Sequence, residues 1–267
     1  MPAVEMLGPA TDPFTLLVYG HTGAGKTTLA AEAQDHPDLA DVVFLNIDRG
    51  LSSISHRTDI RVMNINSAED MQQTRQHFLS PVERRPDLLK TVKTVVIDSL
   101  SALRDETLLN VTQAGVSAGR RQDRFDVQQK DWGHMTRLVA TFVTDLRNVG
   151  INVILTAGVR EDMSEGFVRL IPDLNPALRS TISHAVSNIW YAADRAGSYR
   201  LLTLSRDNFP VKTRNARFKD ALITYTREHG PADKEDEAEG WVFLNNGANT
   251  PTLPILYDLY LNAQKGV

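Results

Sequence analysis

Short apolar runs rich in Val, Ile and Leu alternate along this chain with stretches whose apolar positions recur every three or four residues. That alternation predicts a mainly parallel α/β sheet flanked by helices. Phe14–Tyr19, Val42–Ile47, Val62–Ile65, Thr94–Asp98 and Ile151–Leu155 read as strands. The alanine-rich stretch Lys26 to Gln34 reads as a helix, and Ser67-Ala68-Glu69-Asp70 as the capping-box start of another that reaches Leu79. Trp132, Met135, Leu138, Phe142 and Leu146 fall on one face of a long helix, Val127 to Asn148, which Gly150 ends. Asn188–Tyr191 and Tyr199–Leu204 read as later strands around the turn Arg195-Ala196-Gly197-Ser198, a C-terminal β-hairpin region. Two stretches carry no such period. Asn110 to Asp126 is polar, with Arg120, Arg121 and Arg124. Glu228 to Glu239 is acidic, with Asp233, Glu235, Asp236 and Glu237, and reads as a solvated loop.

The phosphate chemistry sits between the first strand and the first helix. Residues Gly20-His21-Thr22-Gly23-Ala24-Gly25-Lys26-Thr27 spell G-x-x-x-x-G-K-[ST], in the strand–loop–helix context that the motif requires. Its glycines let backbone N–H groups turn inward around phosphate oxygens, and the helix N-terminus favours an anion. Lys26 is expected at the β- and γ-phosphates of ATP, and the Thr27 hydroxyl on Mg²⁺. Thr28 closes the loop. His21 occupies a position where side chains vary freely and reads as loop filler or a partner contact.

The second half of such a site needs carboxylates at neighbouring strand ends, because those ends face the same crevice. Thr94–Asp98 has the form of a Walker B strand, so Asp98 is the expected Mg²⁺-side carboxylate, with a helix N-cap as the competing reading. Val42–Ile47 runs into Asp48-Arg49-Gly50, which makes Asp48 either the general base or a turn residue before glycine. Thr156, after strand Ile151–Leu155, is expected to sense the γ-phosphate or orient water.

Composition narrows the setting. A chain of 267 residues suits one large α/β domain or a core with a small appendage. The division expected is a tail over 1–13, an ATPase core over 14–226 and an acidic loop with a C-terminal extension over 227–267. No apolar run approaches the roughly 18 residues of a membrane span. The start Met1-Pro2-Ala3-Val4-Glu5 lacks the order of a secretory signal. There are no cysteines, hence no disulfide and no thiolate metal site. The expected location is the cytoplasm. A net charge of −4 argues against coating nucleic acid with the whole surface and leaves room for a local basic groove.

Together these motifs resemble RecA-like ATPases, and among them the small phage-encoded, AAA-annotated type related to Sak single-strand-annealing proteins. The resemblance spans about residues 14 to 218. It rests on Gly20–Thr28, Asn46-Ile47-Asp48-Arg49-Gly50, Val95-Val96-Ile97-Asp98-Ser99-Leu100, Lys130-Asp131-Trp132-Gly133, Asn152-Val153-Ile154-Leu155-Thr156-Ala157 and Pro210-Val211-Lys212-Thr213-Arg214-Asn215. It implies a RecA-like P-loop NTPase core, ATP hydrolysis coupled to single-stranded DNA, and self-association into rings or filaments. It also implies recombination or replication as the setting, in a host cytoplasm, with a single-strand binding protein as a further partner. A carboxylate after the second strand acts as base in such proteins, here Asp48. Late basic residues reach a neighbour's γ-phosphate, here Lys212 and Arg214; an ordinary basic surface loop is the other reading.

Single-stranded DNA calls for a basic track with aromatic platforms. Gly158 to Asp173 carries Arg160, Phe167 and Arg169 beside Glu161, Asp162 and Glu165. Arg206 to Lys219 carries Arg206, Lys212, Arg214, Arg217 and Lys219 with Phe209 and Phe218, against Asp207. Arg120 to Arg124 is a third candidate. Other functions on the same loop remain open: a ring helicase or nuclease factor, a small-molecule kinase, or a nucleotide-switched assembly protein.

Overall fold

A computed structural model describes residues 12–120, 122–163, 166–206, 208–230, 240–244 and 252–266. The tail before Asp12, Arg121, Glu165, Asp207 and residues 231–239 of the acidic stretch lie outside the described residues. In chain order the strands are β1 Thr15–Gly20, β2 Val42–Asn46, β3 Arg61–Asn64, β4 Thr94–Asp98, β5 Asn152–Ala157, β6 Val159–Asp162, β7 Arg169–Pro172, β8 Asn188–Arg195, β9 Ser198–Leu202, β10 Lys212–Thr213 and β11 Trp241–Phe243. The helices are α1 Lys26–Ala31, α2 Ala68–Leu79, α3 Asp87–Lys90, α4 Leu100–Ser117, α5 Gln129–Asn148, α6 Pro176–Ala185, α7 Ala216–His229 and α8 Thr252–Lys265.

The main sheet runs β11-β9-β8-β1-β5-β4-β2-β3, with β10 added to β8. From β3 to β8 every pairing is parallel, and β9, β10 and β11 pair antiparallel. The fold class is therefore the α/β arrangement expected, with a mainly parallel sheet and a late hairpin. Strands β1, β2 and β4 are buried along their whole length. That is why they read as unbroken apolar runs, since helices cover both faces of a parallel sheet. Edge strand β3 instead alternates half-buried and exposed positions. The β8–β9 turn uses Ala196 and Gly197 at φ 54° and 83°, the left-handed pair that a tight hairpin demands.

Three expectations need correction. Asn110 to Asp126 is not one irregular stretch: α4 continues through Ser117 and packs on α5. Its buried face carries Thr107, Thr112 and Gly115 beside leucines, so apolar spacing gives no signal there. On α5 the buried face runs through Asp131, Met135, Val139, Phe142, Val143 and Leu146, whereas Trp132 is 38% exposed. Asp131 accepts from the Gln128 N–H at 2.7 Å and closes a capping box, which fixes where this helix starts. Finally, the boundary set at 226/227 falls inside α7. Beyond it, β11 joins the main sheet and α8 packs into the same core, with Tyr257 and Tyr260 edge-on to Phe14 at 5.3 and 5.1 Å. Among the described residues no helix is long and apolar enough to cross a membrane.

Candidate functional site

The C-terminal ends of β1, β2 and β4 open onto one cleft of about 620 Å³. Its lining includes the loop from Thr22 to Thr28 together with Asp48, Asp98 and Ser101. Glycine is required at two loop positions for different reasons. Gly25 sits at φ 80°, a left-handed conformation that side chains disfavour. Gly20 has no room for a side chain, because a Cβ there would lie 2.1 Å from the Ala192 carbonyl oxygen of β8.

Lys26 donates from Nζ to the carbonyls of Gly20 at 2.9 Å and His21 at 2.7 Å. The ammonium is thus held folded back over its own loop, where burial lowers its pKa while Asp98 and Asp48 partly restore it. His21 contributes that carbonyl, and its side chain is exposed outside the cleft lining. Thr27 donates from Oγ1 to Asp98 Oδ2 at 2.9 Å. The other oxygen, Asp98 Oδ1, accepts from the hydroxyl of Thr156. Burial raises the Asp98 pKa, and the two hydroxyl donors oppose that rise.

These contacts decide between several readings. Asp98 is not the cap of α4: Ser99 is, with its Oγ accepting from the Ala102 N–H at 3.2 Å. Thr156 is not among the residues that line the cleft. It is fully buried on β5, between β1 and β4, and its hydroxyl is spent on Asp98, so it positions the carboxylate. Asp48 makes the turn contact, its Oδ1 accepting from the Gly50 N–H at 3.0 Å, and its side chain also lines the cleft. The residues also suit a metal. A hydroxyl and a carboxylate 2.9 Å apart are hard oxygen donors of the kind Mg²⁺ takes alongside phosphate oxygens. Among the described residues no group of three or more His, Cys, Asp or Glu could hold a metal by itself.

Two residues that the sequence does not single out tie the cleft to the neighbouring hairpin. Ser101 Oγ donates to the Asp173 carbonyl at 3.0 Å and accepts from the Gly158 N–H at 3.1 Å, clamping both ends of the β6–β7 hairpin. Tyr19, at the end of β1, donates from its hydroxyl to the Leu170 carbonyl of β7 at 3.1 Å. The hairpin carries Arg160, opposite Ile171, and Arg169, opposite Asp162, and the Arg169 Cζ lies 5.9 Å from the Phe167 ring centroid. Arg179 of α6 completes this group. Burial, and then the nearby Arg160 and Arg169, hold its guanidinium below the usual arginine range while Asp162 opposes them. Met163, Phe167 and Val168 are exposed on the same hairpin.

The remaining basic residues lie elsewhere. Lys212 pairs with Ile189 on β8, whereas the loop end of β1, Gly20, pairs with Ala192. Lys212 and Arg214 are therefore displaced toward the opposite end of the sheet and do not line this chain's own cleft. Lys212 donates to the carbonyls of Ser183 and Val186, and Arg214 to that of His184, all at the C-terminal end of α6. Burial and the nearby Arg214 and Arg147 lower the Lys212 pKa to about 8. Arg206, Lys212 and Lys219 line a second pocket of about 550 Å³. Arg217 lies against Gly266 at the end of α8. Arg124 stacks over exposed Phe125 at 4.9 Å.

Glu32, also on the cleft wall, accepts from the Leu253 N–H of α8 at 2.9 Å. Burial raises its pKa to about 7, and the backbone N–H groups of Leu253 and Thr252 oppose that shift. The unfolded chain releases this proton near the ordinary value of 4.5, so between that pH and 7 the folded state holds more protons. Stability from this group is complete below about pH 4.5 and lost as pH rises through 7, about 3 kcal/mol in all. The melting temperature should fall by on the order of 6–12 °C more in the wild type than in Glu32→Gln across that window. Equal pH slopes in a melting series would show that Glu32 does not titrate there.

A family model described as "AAA domain" matches residues 12–215. No curated protein matches the chain. Among solved structures it is similar to a KaiC-like protein from the hyperthermophilic archaeon Pyrococcus horikoshii OT3. The identity is 15% and the TM-score 0.39, over 75% of this chain and 81% of that one.

Proposed function

The chain belongs to the AAA-domain family, and from that premise we propose that it is a Mg²⁺-dependent ATPase coupled to single-stranded DNA, acting as an annealing or mediator protein in recombination or replication. The observation that carries the ATPase reading is the convergence of Lys26, Thr27, Asp48 and Asp98 on one cleft. In this reading the β- and γ-phosphates take Lys26 from the Gly20 and His21 carbonyls. Thr27 and Asp98 would hold Mg²⁺, which when bound would neutralise phosphate charge. Asp48 accepts a proton from the attacking water as its oxygen bonds to the γ-phosphorus and ADP leaves.

The DNA half of the proposal is supported by the β6–β7 hairpin. Its arginines and exposed Phe167 combine cations for phosphates with an aromatic face for a base. Ser101 and Tyr19 connect that hairpin to the nucleotide cleft, which gives DNA a physical route to turnover. Lys212 and Arg214 act in this account on a neighbour's nucleotide within a ring or filament, a role suggested by the resemblance and by their position outside their own cleft. Replacing Arg160 and Arg169 by alanine should weaken binding of a fluorescent oligothymidylate about 10-fold or more near 0.1 M salt. It should also flatten the slope of log K against log salt by about 0.7 for each phosphate that the variant no longer neutralises. Unchanged anisotropy curves would remove the hairpin as the DNA surface and leave the Arg206–Lys219 side as the candidate.

A further inference from the structure

The cleft does not end at the phosphates. Beyond Gly25 it runs along a face made by Gly25, Thr28 and Glu32, spaced three and four residues apart on α1 and its continuation. The terminal-phosphate end is fixed by Asp98 and Asp48, so a nucleoside leaves toward the other end. Two side chains roof the cleft beside Gly25. A Cβ built on Gly25 would meet Leu244 Cδ1 at 3.2 Å and Tyr199 Cδ1 at 3.6 Å. They come from β9 and from the residue after β11, and the Leu244 N–H donates to the Tyr199 carbonyl at 3.0 Å, which fixes them as a pair. Tyr199 is 44% exposed, an aromatic at the rim of a cleft whose neighbours Arg200, Leu201 and Leu202 on the same strand are buried.

We infer that Tyr199 and Leu244 form the platform for the nucleotide's base, and that the site grips the face of the base rather than reading its edge. The inference rests on the nucleotide reading of the cleft. An aromatic and an aliphatic side chain offer every base a surface to stack on, because every base has a π face. Among the described residues, the carboxylate at this end, Glu32, is turned to the N–H groups of Leu253 and Thr252 at the start of α8. A site that hydrogen-bonds a substrate edge rejects its analogues strongly, whereas one that packs against a face does not. ATP, GTP and CTP therefore bind within about 10-fold of one another.

The test is a set of competition titrations against a fluorescent nucleotide, using full-length protein. Tyr199→Ala weakens ATP, GTP and CTP alike by about 10-fold or more, as the loss of one base–aromatic stack does elsewhere. Tyr199→Phe keeps wild-type affinity, since the ring and not the hydroxyl supplies the contact. Inorganic tripolyphosphate competes equally well in wild type and Tyr199→Ala, which also shows that the variant keeps its phosphate loop. Full nucleotide affinity in Tyr199→Ala, with tripolyphosphate still competing, would overturn the platform alone. A preference above about 100-fold for one base would overturn face-only recognition. Failure of tripolyphosphate to compete, joined to unchanged affinity in Lys26→Ala, would instead bring down the nucleotide reading beneath it.

Discussion

Lys26→Ala should reduce ATP turnover by about a thousandfold or more, measured as phosphate release at saturating Mg²⁺. The magnitude is that of removing a cation aimed at charge developing on a transferring phosphoryl group. The ammonium makes two charge-assisted hydrogen bonds to its own loop, at 2.9 and 2.7 Å. It is therefore pre-positioned, and it needs only to exchange two carbonyls for phosphate oxygens. The loop's left-handed glycines do not depend on that side chain, so the variant should melt as a folded protein. A Lys26→Ala protein that melts normally and keeps even a tenth of wild-type turnover would mean that the lysine does not meet the phosphates.

The second large effect concerns Asp98→Asn, which should cost about 100- to 1,000-fold in turnover and raise the Mg²⁺ concentration needed for half-maximal rate. The isosteric amide keeps the shape of a side chain that is 4% exposed but offers one acceptor where the carboxylate offered two. Thr27 and Thr156 both donate to Asp98, so at one of them the bond must reverse, the amide N–H donating to the threonine oxygen and that hydroxyl proton turning to another acceptor. Stability should nonetheless hold or rise, because burial disfavours the carboxylate that the amide replaces. A variant that is destabilised yet active at ordinary Mg²⁺ would make Asp98 a structural residue. The two variants thus separate charge on the phosphates from grip on the ion.

Legibility in the sequence follows the physics of burial. Strands β1, β2, β4 and β5 lie in the middle of a parallel sheet, so Val, Ile and Leu fill both faces and the runs stand out. Thr94–Asp98 is legible to its observed bounds for that reason. The phosphate loop is legible because its left-handed conformation at Gly23 and Gly25 constrains residue types locally. The C-terminal half of α4 is silent because its packed face uses Thr112 and Gly115, small residues that carry no apolar period. Trp132 misleads because three- and four-residue spacing admits two adjacent stripes, and the one that packs runs through Asp131, Val139 and Val143.

The rest of the site arises only when distant segments meet. Ser101 acquires its role by lying between Gly158 and Asp173, and Arg179 by facing a hairpin that precedes it in the chain. Tyr199 and Leu244 become neighbours through the pairing of β9 with β11. Thr156 shows the reverse case, a strand-end hydroxyl whose position suggests the γ-phosphate but whose burial assigns it to Asp98. A single sequence carries no local mark of any of these juxtapositions.

The coupling of the nucleotide cleft to the arginine-bearing hairpin is tested most directly by ATP turnover of the wild-type protein, titrated with single-stranded DNA at fixed Mg²⁺ and salt. The account predicts a rate that rises about 10-fold or more to a plateau, with the rise lost in the Arg160→Ala, Arg169→Ala double variant while the DNA-free rate is kept. A rate that stays flat while anisotropy shows the DNA bound would contradict it.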